Sequence, residues 1–480
     1  MKKRLLKMIA LIIAAALIAG CGGGNGTGSE EPASKASDST GSAEASENGA
    51  GEEDPGIIHA KRMDDGKIEL VFWMYYGDGS YDGLNNVVNM FNAQSDRYYL
   101  RMEYGGTGDN IKQRLRFLEA KDYPSLFTGA PNAIYEFANA SHIVNLQEYL
   151  DKDPDKWSDD IFDVVKRSYC DTDGNMIGGC LGVSVKGWMV NVDMLEQAGY
   201  KLSDITSFEK VAEISQAAHD KGLCEYGYAP YYGYDILDIL GYQGLDVLDN
   251  ENGYADKPTK CLFDEGETGA ALEKLMNTYA RLQKGGAMYY SGSGTADSTL
   301  FINKQLVFWG CTNSFVYTLK DMSLGFRWAF VPLVGLDDSA EFKDAALAEG
   351  TGMFICNTGD REEMEGAYEV IKFFSQPEAQ VSWCTYRGYV PYTNAAAGTD
   401  EWLNYQKEVF PSSKDLVDRM MNTPEALRIP YSAVTSSIVE TCAQLVSNIS
   451  SDPDENVKDL ITEAAEKINS SIELINLRGQ

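Results

Sequence analysis

Residues 67–104 read KIELVFWMYYGDGSYDGLNNVVNMFNAQSDRYYLRMEY, and the order of patterns in this stretch sets the fold class. Lys67 to Trp73 is a strand candidate. Leu84, Val87, Val88 and Phe91 then recur at the i, i+3, i+4, i+7 spacing of a helix face, and Tyr98 to Tyr104 returns as a second strand. Strand–helix alternation builds an α/β layer with ligand sites at the carboxyl ends of its strands. Trp73 to Gly79 (WMYYGDG) lies at such an end.

The alternation continues along the chain. Ile111, Leu115 and Leu118 make another helix face, Leu126 to Thr128 a short buried strand, and Asn132 to Asn139 a short helix. Val183 to Val190 reads as one extended segment. Thr206 and Glu209 are spaced as a capping box for a helix that buries Phe208, Val211 and Ile214 and stops at Gly222. Helices are expected over 270–283 and 299–303, and strands over 305–310, 326–331 and 352–357. A helix follows with Met364, Ala367, Ile371 and Phe374 on one face. Asp452-Pro453-Asp454-Glu455 supplies an N-cap, a first-turn proline and early acids for a last helix with the stripe Val457, Leu460, Ile461, Ala464 and Ile468. There is no internal repeat.

The 480 residues, 44% hydrophobic, suffice for about two to three domains. With 41 Lys plus Arg against 72 Asp plus Glu, the net charge of −31 leaves no basic footprint for nucleic acid. The 28 Tyr exceed the 18 Phe, a balance suited to polar ligands because Tyr joins an apolar ring to a polar tip. At the amino terminus, Lys2, Lys3, Arg4 and Lys7 precede an apolar run from Met8 to Ala19 and then Gly20-Cys21. This run is short for a membrane span and ends in small residues, as a cleaved signal does. It resembles the bacterial lipoprotein signal, which implies that Cys21 is diacylated and becomes the first residue of a protein anchored outside the cytoplasm on the bacterial cell membrane. Residues 1–20 are then the signal peptide, and the Gly-, Ser- and Glu-rich residues 21–56 an acidic tether. Loss of the signal's four positive charges takes the net charge from −31 to −35.

Eight cysteines follow Cys21. Cys170 and Cys180, around the turn Asp173-Gly174, are the best-placed local disulfide pair, but no two cysteines sit at C-x-x-C spacing and several lie in apolar strand-like stretches, which favours buried free thiols. Asp171 to Gly174 and Asp249 to Gly253 are acidic loops, but neither completes a twelve-residue calcium loop, so both read as solvated turns.

Several segments in register resemble the family 1 extracellular solute-binding proteins, the lipoproteins that serve ABC-type sugar importers. They are Glu69 to Trp73, Met90-Phe91-Asn92, Asp173 to Gly178, Trp188 to Leu195 with Ala198-Gly199-Tyr200, Thr206 to Glu209, Phe301 to Val307, Phe330 to Leu333, Gly352 to Ile355 and Gly388 to Pro391. The order holds over roughly residues 66–475. The resemblance implies a type II periplasmic-binding-protein-like fold, two α/β lobes closing on a solute. Lobe 1 would comprise 57–184 and 350–390, and lobe 2 would comprise 185–349 and 391–480. Crossings are expected near Gly182 to Lys186, Glu349 to Gly352 and Tyr389 to Pro391. It also implies ABC permease subunits as partners, no cofactor, no catalytic residue, and a monomer.

A sugar pocket needs aromatic platforms beside groups that satisfy hydroxyls. Trp73, Tyr75 and Tyr76 cluster after the first strand with Asp78 beside them, and Tyr231 and Tyr232 lie in a Gly- and Pro-rich stretch of tyrosines. Trp309 and Asn313 flank a strand end. The resemblance adds Ser184, Gly352, Tyr389 and Arg428, and Trp188, which stands where the family has a tyrosine, is a further candidate. The loops 73–79 and 226–234 contain no Lys or Arg, which favours a neutral oligosaccharide over a phosphorylated polyol, the alternative. A secreted carbohydrate-active enzyme is disfavoured, because no Ser-His-Asp, H-E-x-x-H or G-x-S-x-G pattern occurs. No metal site is expected.

Overall fold

A computed structural model describes residues 61–478 apart from Asp78 and Ser293; the signal, Cys21 and the tether lie outside the described residues, as does Asp78. The first half runs β1 (Ile68–Met74), α1 (Ser80–Gln94), β2 (Tyr98–Tyr104), α2 (Gly108–Leu115), β3 (Leu126–Gly129), β4 (Ile143–Val144), β5 (Gly179–Ser184), β6 (Lys186–Asn191), α3 (Phe208–Asp220), β7 (Tyr226–Ala229) and α4 (Asp235–Tyr242). The second runs α5 (Gly266–Lys284), α6 (Gly294–Ile302), β8 (Leu306–Thr312), β9 (Trp328–Pro332), β10 (Glu349–Cys356), α7 (Arg361–Phe374), α8 (Pro377–Arg387), α9 (Asp400–Glu408), α10 (Ser413–Met421), α11 (Thr435–Ser451) and α12 (Val457–Arg478). Labels cover helices of eight residues or more. No helix among the described residues is long and apolar enough to cross a membrane.

Two sheets carry the architecture. The first has the order β2-β1-β3-β10-β4, with β5 also paired to β10; β1 lies parallel to β2 and β3, and β10 antiparallel to its neighbours. The second has the order β7-β8-β6-β9, with β6 antiparallel to β8 and β9 and β7 parallel to β8. Helices cover both. Leu84, Val87, Val88 and Phe91 of α1 are buried, and α7 packs on β1. On the second sheet α3 packs against β7, and α5 against α11 and α12, whose Val457, Leu460, Ile461, Ala464 and Ile468 are all buried. The fold is the expected two-lobed α/β arrangement.

The expected extended segment 183–190 is two strands. Val185 alone separates β5 in the first sheet from β6 in the second, so one buried residue forms a crossing between lobes. The chain returns at β10, where Gly350 has φ +121° and a Cβ would meet the Gly182 carbonyl oxygen at 2.1 Å. Only glycine fits that close approach. At the third expected crossing, the Val390 N–H donates to the Val183 carbonyl (3.2 Å). From there α9 packs on α8, and α10 packs on the helix Asp163–Arg167.

Two caps differ from the sequence reading. Ser207, not Thr206, caps α3 by accepting from the Lys210 N–H, while the Thr206 hydroxyl donates to Asp338. Asp452 ends α11, and the Asn456 side chain accepts from the Lys458 N–H at the start of α12. All eight described cysteines are free thiols, so Cys170 and Cys180 are not bonded; the Cys170 thiol donates to the Lys166 carbonyl. Burial pushes the Cys170 and Cys261 thiols up to about 12, which leaves them unreactive.

Candidate functional site

The carboxyl edges of both sheets converge on the Val185 crossing. β1 ends at Met74 and β3 at Gly129, and antiparallel β10 starts there, with Glu349 opposite Ser184 of β5. In the second sheet Lys186, which opens β6, pairs with Thr312 at the end of β8, and Gly187 with Pro332 at the end of β9; β7 ends at Ala229, before the tyrosine stretch. Each sheet therefore presents a strand-end edge to the other, the location where open α/β sheets bind ligands.

A row of polar and aromatic groups lines this junction. The Thr351 hydroxyl of β10 shares hydrogen bonds with both the Tyr75 and the Tyr76 hydroxyls, the latter at 2.5 Å, and the Tyr76 hydroxyl also bonds the Tyr389 hydroxyl at 2.8 Å. The rings of Tyr76 and Tyr389 pack edge-on to buried Trp383 at 5.6 and 5.8 Å. The Arg387 guanidinium lies within 6.0 Å of the Tyr76, Tyr317 and Tyr389 rings and donates to the Ser314 carbonyl, joining the lobes. Further along the row the Lys186 ammonium reaches Asp238 of α4 at 2.9 Å and Glu349 at 2.5 Å. Burial works against that ammonium, but the two carboxylates outweigh it and hold its pKa above the ordinary lysine value. Burial pushes Asp238 up to about 7 despite Lys186. Tyr231 stands near Glu349, and burial with that neighbouring charge raises its hydroxyl pKa.

Tyr75, Tyr231 and Tyr232 are half-buried, the exposure a stacking platform needs. Tyr231, Tyr232 and Tyr234 form a ring cluster with centroids 5.3 to 5.8 Å apart. Tyr232 takes φ 58°, a left-handed backbone rare for an aromatic residue, and its hydroxyl accepts from the Gly294 N–H. Tyr76, Tyr389 and Ser184 are buried beneath this layer.

Other expected site residues are committed elsewhere. Trp73 is 6% exposed; its indole N–H donates to Glu103 at 3.0 Å and the Arg114 guanidinium covers one face at 3.7 Å, so it is no open platform. Trp188 is fully buried against Phe208, because β6 is the covered centre of the second sheet. Trp309 is packed between Phe301 and Phe315. Asn313, also fully buried, accepts from the Val185 N–H at 2.6 Å and donates to the Gly388 carbonyl at 2.7 Å, so its amide clips the crossing to the first lobe. Gly352 is glycine because a Cβ would meet the Tyr169 ring at 2.4 Å. Arg428 lies 4.5 Å over Tyr254 and 3.4 Å from Glu251, a structural stack rather than a free cation.

Sequence reading missed Thr351, Glu349, Lys186, Asp238 and Arg387. One signal was present: a lysine inside the apolar run Val183 to Val190 needs buried acid partners. The loop 249–253 holds its own ligands, since the Asp249 carboxylate accepts from the N–H groups of Thr259 and Lys260. Among the described residues no group of three or more His, Cys, Asp or Glu could hold a metal ion.

The profile of the bacterial extracellular solute-binding protein family matches residues 86–410, more than half of the chain, and the protein belongs to that family. No curated protein matches the chain. Among solved structures, the sugar-binding protein MalE from Xanthomonas citri is similar at TM-score 0.69 and 15% identity, covering 85% of this chain and 98% of its own. The ABC substrate-binding protein from Listeria monocytogenes in complex with cycloalternan is similar at TM-score 0.66 and 15% identity, covering 85% and 99%. UgpB from Mycobacterium tuberculosis in complex with glycerophosphocholine is similar at TM-score 0.65 and 15% identity, covering 86% and 100%. At such identities the likeness is one of fold.

Proposed function

We propose that this solute-binding protein captures a neutral oligosaccharide between its lobes and delivers it unaltered to an ABC permease, tethered outside the cytoplasm through an acylated Cys21. The observation that carries the reading is the row Tyr75, Tyr76, Thr351, Glu349, Lys186 and Tyr231 along the facing strand ends. The half-buried rings of Tyr75 and Tyr231 suit the apolar face of a pyranose, and the Glu349 carboxylate, its side chain 31% exposed, suits its rim, while the buried Tyr76–Thr351–Tyr389 bonds hold the layer in place. Lys186 is already held by two carboxylates, which favours a neutral solute over a phosphorylated polyol. In this proposal residues 391–421 belong with the first lobe rather than the second.

The test is a thermal-shift screen over saccharides of several linkages, with glycerol 3-phosphate and glycerophosphocholine as anionic and zwitterionic competitors. A ligand that binds only the folded form raises the melting temperature. A neutral saccharide is expected to do so, to compact the protein in small-angle scattering, and to be recovered intact. Released hydrolysis products would overturn the reading, as would stabilisation by the phosphate compounds alone. Tyr231→Ala is expected to weaken saccharide binding by roughly 1–3 kcal/mol, the worth of one large aromatic surface.

Anchoring has its own test. Cys21→Ser removes the proposed acylation site, so the protein should accumulate in the medium or as an unprocessed precursor. A cleaved variant that stays on the membrane as fully as the parent would overturn it.

A further inference from the structure

A second aromatic surface lies on the first lobe, outside the row just described. A groove of about 520 Å³ is lined by Tyr104, Gly105, Gly106, Asn110, Arg114 and Phe117, with Gln113 at its side. Its walls are unusual for a surface: Tyr104 is 56% exposed and Phe117 88% exposed. Singly, exposed apolar side chains need no explanation. Here two exposed rings, two glycines and two carboxamides line one surface.

Each part of the groove is fixed by the fold. The Gly105 N–H donates to the Met74 carbonyl at 2.8 Å, which ties the floor to the end of β1, one residue before Tyr75. A Cβ at Gly106, φ +101°, would sit 2.8 Å from the Asn110 Cβ, and one at Gly77 3.1 Å from the Tyr104 ring. Side chains at these positions would fill the groove or push Tyr104 aside. Thr107 caps α2, and the Asn110 side-chain oxygen accepts in return from the Thr107 N–H and hydroxyl. The Asn110 NH₂ and the Gln113 carboxamide make no hydrogen bond among the described residues. The groove's cation, Arg114, is stacked 3.7 Å over Trp73 and donates to the Gly105 carbonyl at 2.9 Å, so it shapes the wall.

We propose that this groove is an outer subsite for a sugar ring of the same solute, in which Tyr104 and Phe117 stack on a neutral pyranose while Asn110 and Gln113 bond its hydroxyls. The proposal rests on the oligosaccharide reading above and deepens it: a solute whose inner rings lie at Tyr75 reaches the groove along the end of β1, so the preferred ligand is a chain of several rings, not a mono- or disaccharide. The committed Arg114 and the open amides favour a neutral ring over a uronic acid.

The experiment uses the mature domain and linear oligosaccharide series, disaccharide to hexasaccharide, cut from starch, cellulose, xylan and mannan, with calorimetric affinities for the parent, Tyr104→Ala and Phe117→Ala. Both rings are on the surface, so the variants should melt with the parent. The parent should gain affinity with added rings, and each variant should lose roughly fivefold to tenfold for the longer chains while holding the shortest binding chain as the parent does. A parent whose affinity is flat with length, or variants that bind every length as the parent does, overturns the outer subsite and leaves the oligosaccharide reading standing. Binding to no member of any series overturns both. Equal weakening for the shortest and longest chains overturns the outer position, because the rings would then touch the inner part of the ligand.

Discussion

Lys186→Met is expected to cost about 3–5 kcal/mol of folding free energy above neutral pH, since it removes one partner of a buried charge pair and leaves the other to be stranded or neutralised by a proton. The Asp238 side chain is only 2% exposed, one of its oxygens has no hydrogen-bond partner, and Lys186 supplies the other oxygen's contact at 2.9 Å. Glu349 matters less, because its side chain is 31% exposed and water can replace the lysine. The cost is pH-dependent with a definite sign. Burial raises the Asp238 pKa in the folded state, from the ordinary carboxylate value of 3.8 up to about 7, and Lys186 opposes the rise. Without Lys186 the folded-state value climbs further. The folded variant then holds a proton that the unfolded chain releases, so its stability is retained below about pH 4 and falls as pH rises through the folded value. Because the parent's own Asp238 also holds its proton up to about pH 7, denaturant melts should show a deficit that is steady through the acid range and grows as pH rises above about 7, where only the variant still holds the proton. Adding Asp238→Leu to Lys186→Met should restore most of the loss, because a matched apolar pair has no stranded charge. A single variant as stable as the parent well above neutral pH would mean that Asp238 is protonated there in both proteins and the pair carries no charge to strand.

The elements that read correctly from sequence are those with one buried face. α1 declares itself through Leu84, Val87, Val88 and Phe91, and α12 through its stripe from Val457 to Ile468, because a surface helix shows its period only when the other face is polar. β5 and β6 are buried at every position, so neither shows alternation, and the break at Val185 is invisible in an unbroken apolar run. The same cause misplaced the tryptophans. Where a sheet is covered on both faces, no pattern tells a side chain aimed at a ligand from one aimed at a helix, and Trp188 and Trp309 both face packing. The tyrosine stretch was legible in part: Tyr231 and Tyr232 stand half-exposed beyond the end of β7, whereas Tyr228, inside β7, is buried and donates to Asp235. The polar row was not legible, because Thr351, Glu349, Lys186 and Asp238 come from three elements that only the tertiary fold brings together.

Trp188→Ala should lower stability by about 3–5 kcal/mol, the usual cost of emptying a large aromatic site in a close-packed core. Trp188 is 0% exposed at the centre of the second sheet, with its ring 6.5 Å from Phe208, which in turn packs on Tyr228 at 5.5 Å and Tyr279 at 5.2 Å. Its neighbours are strands and helices fixed on several sides, so the cavity has little room to collapse, and the cost should fall at the upper part of that range. The indole N–H has no hydrogen-bond partner of good geometry among the described residues, so the loss is chiefly one of packing. Under conditions where the variant remains folded, saccharide affinity should change little, because Trp188 does not reach the strand-end edge where the tyrosines stand. Tyr231→Ala should show the opposite division: weakened binding with a melting temperature near that of the parent. Two aromatic residues of the same sheet region thus separate by the side they serve. If Trp188→Ala instead binds poorly while melting with the parent, the second lobe's ligand surface lies on the far face of β6, and the assignment of the site to the converging strand ends is wrong.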